Sequence, residues 1–205
     1  MPKRVTCYID GFNLYHAIDA LGEEHLKWLD LWSLSASLLR RDESLDSVHY
    51  FTAYATWLRA EYARHRAYVA ALQSRNVTVH LANFKKKPRK CNACGASWIT
   101  HEEKETDVHI AARLVLDASR DIFDRAILIT ADSDLVPPIE ICRREWPGKE
   151  FFVAAPPKRW WRVRAIRAGL ELTKGRLAKH LLPAELKDGD GKLVAQRPRE
   201  YTPSK

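Results

Sequence analysis

Ala126-Ile-Leu-Ile-Thr-Ala-Asp-Ser-Asp134 is a short apolar run that stops at two carboxylates one residue apart. Its length and composition predict a strand buried on both faces of a parallel sheet, with Asp132 and Asp134 at the C-terminal mouth. Open α/β sheets bind ligands outside the carboxyl ends of their strands, so these acids stand where such a fold does its chemistry. The arrangement recurs near the start of the chain, where the β-branched and aromatic Val5-Thr-Cys-Tyr-Ile9 runs into Asp10-Gly-Phe-Asn13. Gly11 permits a tight turn with close approach of the backbone to a ligand. Asn13 either caps a helix beginning near Leu14 or belongs to the site.

Between these two strands the chain alternates. Leu31, Leu34 and Leu38 predict a helix within residues 29–40, and residues 47–54 read as a second strand. Residues 57–74 are helical, with Arg59, Arg64, His65, Arg66 and Arg75 on a solvated face, and residues 77–81 form a third strand. The clearest helix covers residues 106–118, capped by Thr106, with Val108, Ala111, Ala112, Val115 and Ala118 as its inward stripe. Asp107 in its first turn either complements the helix dipole, worth roughly 0.3–1 kcal/mol, or joins the other acids. A helix with proline in its first turn over 136–146 and a buried strand over 150–155 complete the pattern. Such alternation implies an α/β fold with a doubly wound parallel sheet, in which the strands ending at Asp10 and Asp132 can be neighbours.

The chain has 205 residues, 46% of them hydrophobic, enough to bury a core. Its 34 Lys and Arg against 26 Asp and Glu give a net charge of +8, which favours polyanionic partners. No apolar run approaches the ~18 residues of a membrane span, and residues 1–9 lack a signal-peptide core, so no membrane partner and a cytoplasmic location are expected. The four cysteines do not resemble a secreted disulfide framework. Residues 83–103 break the rhythm and read as an insertion in the domain. There the basic run Lys85-Lys86-Lys87-Pro88-Arg89-Lys90 leads into Cys91-Asn-Ala-Cys94-Gly95, the shape of a zinc knuckle that needs two further ligands. His80 and His101 flank it, while a plain reduced pair and a redox pair stay open as readings. Cys7 and Cys142 read as buried thiols. Residues 158–167 interleave Trp160 and Trp161 with Lys158, Arg159, Arg162, Arg164 and Arg167, suiting either single-stranded nucleic acid or core packing of the tryptophans. From Leu182 onward, Gly, Lys, Asp and Pro predict a mobile tail (182–205) after a domain over 1–181, with Asp188-Gly-Asp190 as a turn.

Carboxylates gathered at one sheet mouth repel one another unless a hard divalent cation neutralises them, and oxygen-only sites suit Mg²⁺ or Mn²⁺. Such ions activate water and stabilise a phosphoryl centre, which points to phosphodiester hydrolysis. Asp10-Gly-Phe-Asn13, Lys104-Glu-Thr-Asp-Val108 and Thr130-Ala-Asp-Ser-Asp134 also resemble, in order and spacing, the three motifs of the NYN domain family, relatives of the PIN-domain ribonucleases. The resemblance implies a PIN-like three-layer α/β/α fold with a central, mostly parallel sheet, and metal-dependent cleavage of RNA. It marks Asp10, Asp107, Asp132 and Asp134 as metal ligands and activators of water. It further implies that Asn13 and Ser133 help to orient metal or phosphate and that Lys104 contacts phosphate. Lys85, Lys86 and Lys87, with Arg159, Trp160 and Arg162, are further candidates for holding RNA. The rivals are a phosphatase with an aspartyl nucleophile, disfavoured by Phe12 where a second acid is wanted, and an RNA-binding module with little activity. RNA and DNA share the phosphodiester, so the substrate's sugar stays open.

Overall fold

The computed structural model describes residues 1–163 and 169–203. In chain order the elements are β1 (Lys3–Asp10), α1 (Gly11–Asp19), α2 (Leu31–Ala36), β2 (Glu43–Ala53), α3 (Arg59–Gln73), β3 (Val77–Lys90) and β4 (Ser97–Lys104). There follow α4 (Thr106–Ser119), β5 (Arg125–Ile129), α5 (Val136–Glu145), β6 (Glu150–Ala155), the short α6 (Trp160–Val163), β7 (Gly169–Glu171), α7 (Lys174–Ala178), β8 (Glu185–Lys187) and β9 (Leu193–Gln196). Seven strands form one sheet in the order β4-β3-β2-β1-β5-β6-β7, parallel throughout except for β4, and β8 and β9 form a separate hairpin.

Residues Val5 to Asp10 are all buried, because β1 is central and covered on both faces. The period-two alternation sends Val5, Cys7 and Ile9 into a core with residues of α1, α2 and α3, and Tyr8 into a second core with Ile110 and Leu114 of α4 and Ile139 of α5. Each large apolar side chain so buried contributes about 1.5–3 kcal/mol. The three-layer α/β/α arrangement of a PIN-like fold follows. Its sheet order reverses at β1, whose neighbours are β2 on one side and β5 on the other.

Several expectations change in three dimensions. Residues 83–103 are not a separate insertion: β3 runs on to Lys90 and returns as β4, so the basic run and the cysteines form a hairpin arm extending the sheet edge. Residues 182–203 do not form a detached tail but pack on the domain. Leu182, Leu186, Ala195 and Tyr201 are buried in the first core, and Trp28 Nε1 donates to the Pro183 carbonyl at 2.9 Å. Asp188 does turn the chain, its carboxylate accepting from the Asp190 and Lys192 amides. In α4 the buried residues are Thr106, Ile110, Leu114, Asp117 and Ala118, whereas Val108 is exposed. Asp117 is tolerated there because Tyr8 Oη and Arg113 Nε donate to it at 2.8 and 2.7 Å. A bulky residue at position 11 is excluded by β2 rather than by a ligand, since a Cβ would stand 2.6 Å from the Phe51 carbonyl oxygen.

Candidate active site

Asp10 is both the last residue of β1 and the N-cap of α1, accepting through Oδ1 from the Asn13 amide at 3.0 Å. Asn13 is therefore not the cap. Its side-chain amide donates to Asp10 Oδ2 at 2.5 Å, and Thr130 Oγ1 donates to the same oxygen at 3.0 Å. These bonds fix a buried carboxylate in one orientation. Burial, opposed by the bonds from Asn13 and Thr130, holds its pKa above the usual range. Thr130 Oγ1 also accepts from the Asp132 amide at 3.0 Å, linking the two strand mouths, and the Asp134 amide donates to Asp132 Oδ1 at 2.9 Å.

Between β4 and α4, Glu105 takes a left-handed φ of 81° and stands at the N-cap position with no side-chain cap, so Thr106 is the first helical residue and not the cap. This sharp turn directs Asp107 towards Asp10. Ligand oxygens of Asp10, Asp107 and Asp132 all lie within 4.8 Å of one another. Burial and the neighbouring charges of Asp10 and Asp132 push Asp107 up to about 6. Asp134 stands outside this set of three, although its charge still acts on Asp107. A carboxylate that the motif reading passed over, Glu103 of β4, takes up the fourth side. Its Oε1 is buried without a partner, and burial together with Asp10, Asp107 and Asp132 raises its pKa to about 8. The signal for Glu103 was available only in β-strand alternation, which puts it on the same face as His101 and opposite Phe84. Three converging carboxylates with a fourth orphaned oxygen beside them form a hard-donor set that fits a divalent cation.

A model of the NYN domain family matches residues 4–162. The chain belongs to the NYN domain family. It is 28% identical over 179 residues to 6-hydroxy-3-succinoylpyridine 3-monooxygenase HspA of Pseudomonas putida, covering 69% of this chain but only 56% of that protein. A crystal structure of a Vibrio parahaemolyticus protein of unknown function superposes with a TM-score of 0.57 at 17% identity, covering 88% of this chain and 97% of the other. That likeness shows a shared fold.

The remaining candidates fall in different places on this NYN domain. Ser133 is exposed in the turn after β5. Lys104 ion-pairs with Glu102 at 3.3 Å, as do Lys87 and Arg89 at 3.1 and 2.6 Å, and Lys85 lies 3.8 Å from Glu105. Lys86 sits between them on β3, opposite His101. Trp160 packs on Gly169 against the second core, so its stacking surface is taken, while Trp161 is exposed under the Arg162 guanidinium. Arg159 and Arg162 line a cleft of about 310 Å³ with Phe12, Asn13 and His16, beside the acids. Arg164 and Arg167 lie outside the described residues. Cys91 and Cys94 close the tip of the arm, but neither expected histidine joins them. His101 is in register with Lys86, five residues back along the strand and so about 16 Å away, and it stacks on Trp57. His80 is tied to His49 at 3.0 Å and stacks on Phe51. The knuckle as expected from the sequence is thus not assembled among the described residues.

Proposed function

We propose that this chain is a metal-dependent nuclease that hydrolyses phosphodiester bonds of single-stranded RNA. The observation that carries this reading is the convergence of Asp10, Asp107 and Asp132, with Glu103 beside them, at the C-terminal mouth of the sheet. These carboxylates would hold Mg²⁺ or Mn²⁺, which when bound supplies an activated water and neutralises charge on the phosphoryl group. Asn13 and Thr130 hold Asp10 against rotation, and the Asp134 amide does the same for Asp132, so the donor set is preorganised. Arg159 and Arg162, bordering Asn13, supply charge for a neighbouring phosphate, and the overall charge of +8 attracts the strand. No helix among the described residues is long and apolar enough to cross a membrane. A cytoplasmic location remains part of the proposal.

The test is cleavage of an end-labelled single-stranded RNA by wild type and Asp132→Asn in Mn²⁺, Mg²⁺ and EDTA, with a matching DNA strand alongside. Cleavage confined to wild type with metal is expected; losing ~3 kcal/mol of charge stabilisation makes the variant at least about 100-fold slower. Binding without cleavage would favour an RNA-binding module with an idle pocket. The Pseudomonas relative motivates a second reading, oxygenation of a small hydroxypyridine. A parallel arm follows loss of 6-hydroxy-3-succinoylpyridine in aerated solution with a two-electron reductant supplied. Turnover there with intact RNA would replace the nuclease reading.

A further inference from the structure

The structure holds a cavity of about 300 Å³ lined by residues of α1, Phe12 among them, and of α3. Aromatic rings contribute much of its lining, among them Phe12, Tyr50, Trp57, Tyr62, Tyr68 and Phe84. Its size and its apolar lining with a few polar groups are those of a small-molecule site. Its polar groups include Thr52 and His65, which share a hydrogen bond at 3.2 Å, together with His16, Lys27, Arg64 and Glu61. Trp57 and Tyr15 stand at its rim, about 40% accessible.

Two contacts join this cavity to the acids. Phe84, in its wall, is the register partner of Glu103, so their Cα atoms are about 4.5–5.5 Å apart and their side chains share a face. Phe12, packed edge-on against Phe84 at 5.4 Å, also lines the arginine cleft. The acids, the cationic cleft and the aromatic cavity therefore meet at the Phe12–Phe84 pair. We propose that the cavity receives the unstacked base of the nucleotide adjoining the phosphodiester held at the acids, with the next phosphate at Arg159 and Arg162. The proposal rests on the phosphodiester reading above and specifies its substrate: a flexible single strand, because a paired base cannot leave its stack to enter.

The test steps a single abasic residue along a short RNA. Binding of the uncut strand to Asp132→Asn is measured by anisotropy, and cleavage by wild type separately. One abasic position is expected to weaken binding about tenfold or more, the size of a lost base–aromatic stack, and to slow cutting at the adjoining bond. Ala55→Trp, which fills the cavity from its wall, is expected to weaken the intact strand by a similar factor and to erase the abasic difference. Trp57→Ala is expected to weaken binding of the intact strand likewise, and each variant is used only if it melts at the wild-type temperature. A flat abasic profile with cleavage intact would overturn the proposal and leave the nuclease standing. Absence of cleavage with a retained abasic step in binding would remove the nuclease and keep the base pocket. A cavity that takes free uridine yet gives a flat profile would belong to a small ligand, and also overturns it.

Discussion

Glu103→Gln should make the metal-free protein more stable, by an amount that grows with pH. In the folded state the Glu103 carboxyl has its pKa raised from 4.5 to about 8 by burial and by Asp10, Asp107 and Asp132. A carboxyl raised in this way binds its proton more tightly folded than unfolded. Its contribution is therefore full below pH ~4.5 and is lost as pH rises towards 8. At 1.36 kcal/mol for each tenfold, the whole shift corresponds to no more than about 5 kcal/mol, and solvent at the open mouth reduces this to about 2–3 kcal/mol. Asp107, raised to about 6, adds in the same direction over a lower window. Glutamine removes the charge, and its amide can donate to the neighbouring carboxylates. The assay is thermal denaturation of wild type and Glu103→Gln in EDTA from pH 5 to 9. At 2–4 °C for each kcal/mol in a chain of this size, the variant should melt about 4–12 °C above wild type at pH 8.5 and close to it at pH 5. Adding Mg²⁺ or Mn²⁺ at pH 8.5 should raise wild type more than the variant and close the gap. A difference that does not change with pH, or a variant less stable at pH 8.5, would refute the assignment of Glu103 to the repelling cluster.

Three further outcomes are expected. Arg125 and Glu43 form a buried ion pair at 2.8 Å, so Arg125→Ala should cost up to about 3–5 kcal/mol by leaving the Glu43 carboxylate only the Arg40 amide at 2.7 Å and the Arg40 guanidinium at 3.7 Å, and Arg125→Met with Glu43→Gln should recover most of it in denaturant titrations. Deleting residues 182–205 should lower the melting temperature by at least about 10 °C or abolish soluble expression, because Leu182, Leu186 and Tyr201 leave the core at about 1.5–3 kcal/mol each; a truncated protein that melts like the full chain would contradict the packing of that segment. Replacing Lys85, Lys86 and Lys87 with alanine should weaken RNA binding and reduce the slope of log affinity against log salt by up to about 2, and an unchanged slope would remove the arm from the interface.

How much of this was legible beforehand differs from residue to residue. Asp10 and Asp132 were readable because each ends an apolar run, and a run buried on both faces can only be a central strand whose mouth opens to solvent. Asp107 was readable only through its motif, since an acid in a first helical turn has an ordinary role at the dipole. Glu103 was not readable as a site residue. It lies in a stretch dominated by charge and cysteines, and its place depends on β3 continuing through Lys90 and pairing backwards with β4. The same pairing separates His101 from the cysteines it flanks in sequence.

The sequence by itself determined the α/β class, the two acid-tipped strands and the family, because these depend on local periodicity and on motifs a few residues long; that the two strands are neighbours came from the β1–β5 pairing. Tertiary structure alone decided which acids converge, what Asn13 and Thr130 do for Asp10, and that an aromatic cavity shares a wall with the site. It also decided that residues 182–203 belong to the core, although their composition is that of a solvated tail. Four apolar side chains, Leu182, Leu186, Ala195 and Tyr201, suffice to dock that segment once α1, α2 and α3 present a surface to receive them. Composition averages over a segment, whereas burial is a property of single side chains and the partners that long-range pairing brings to them.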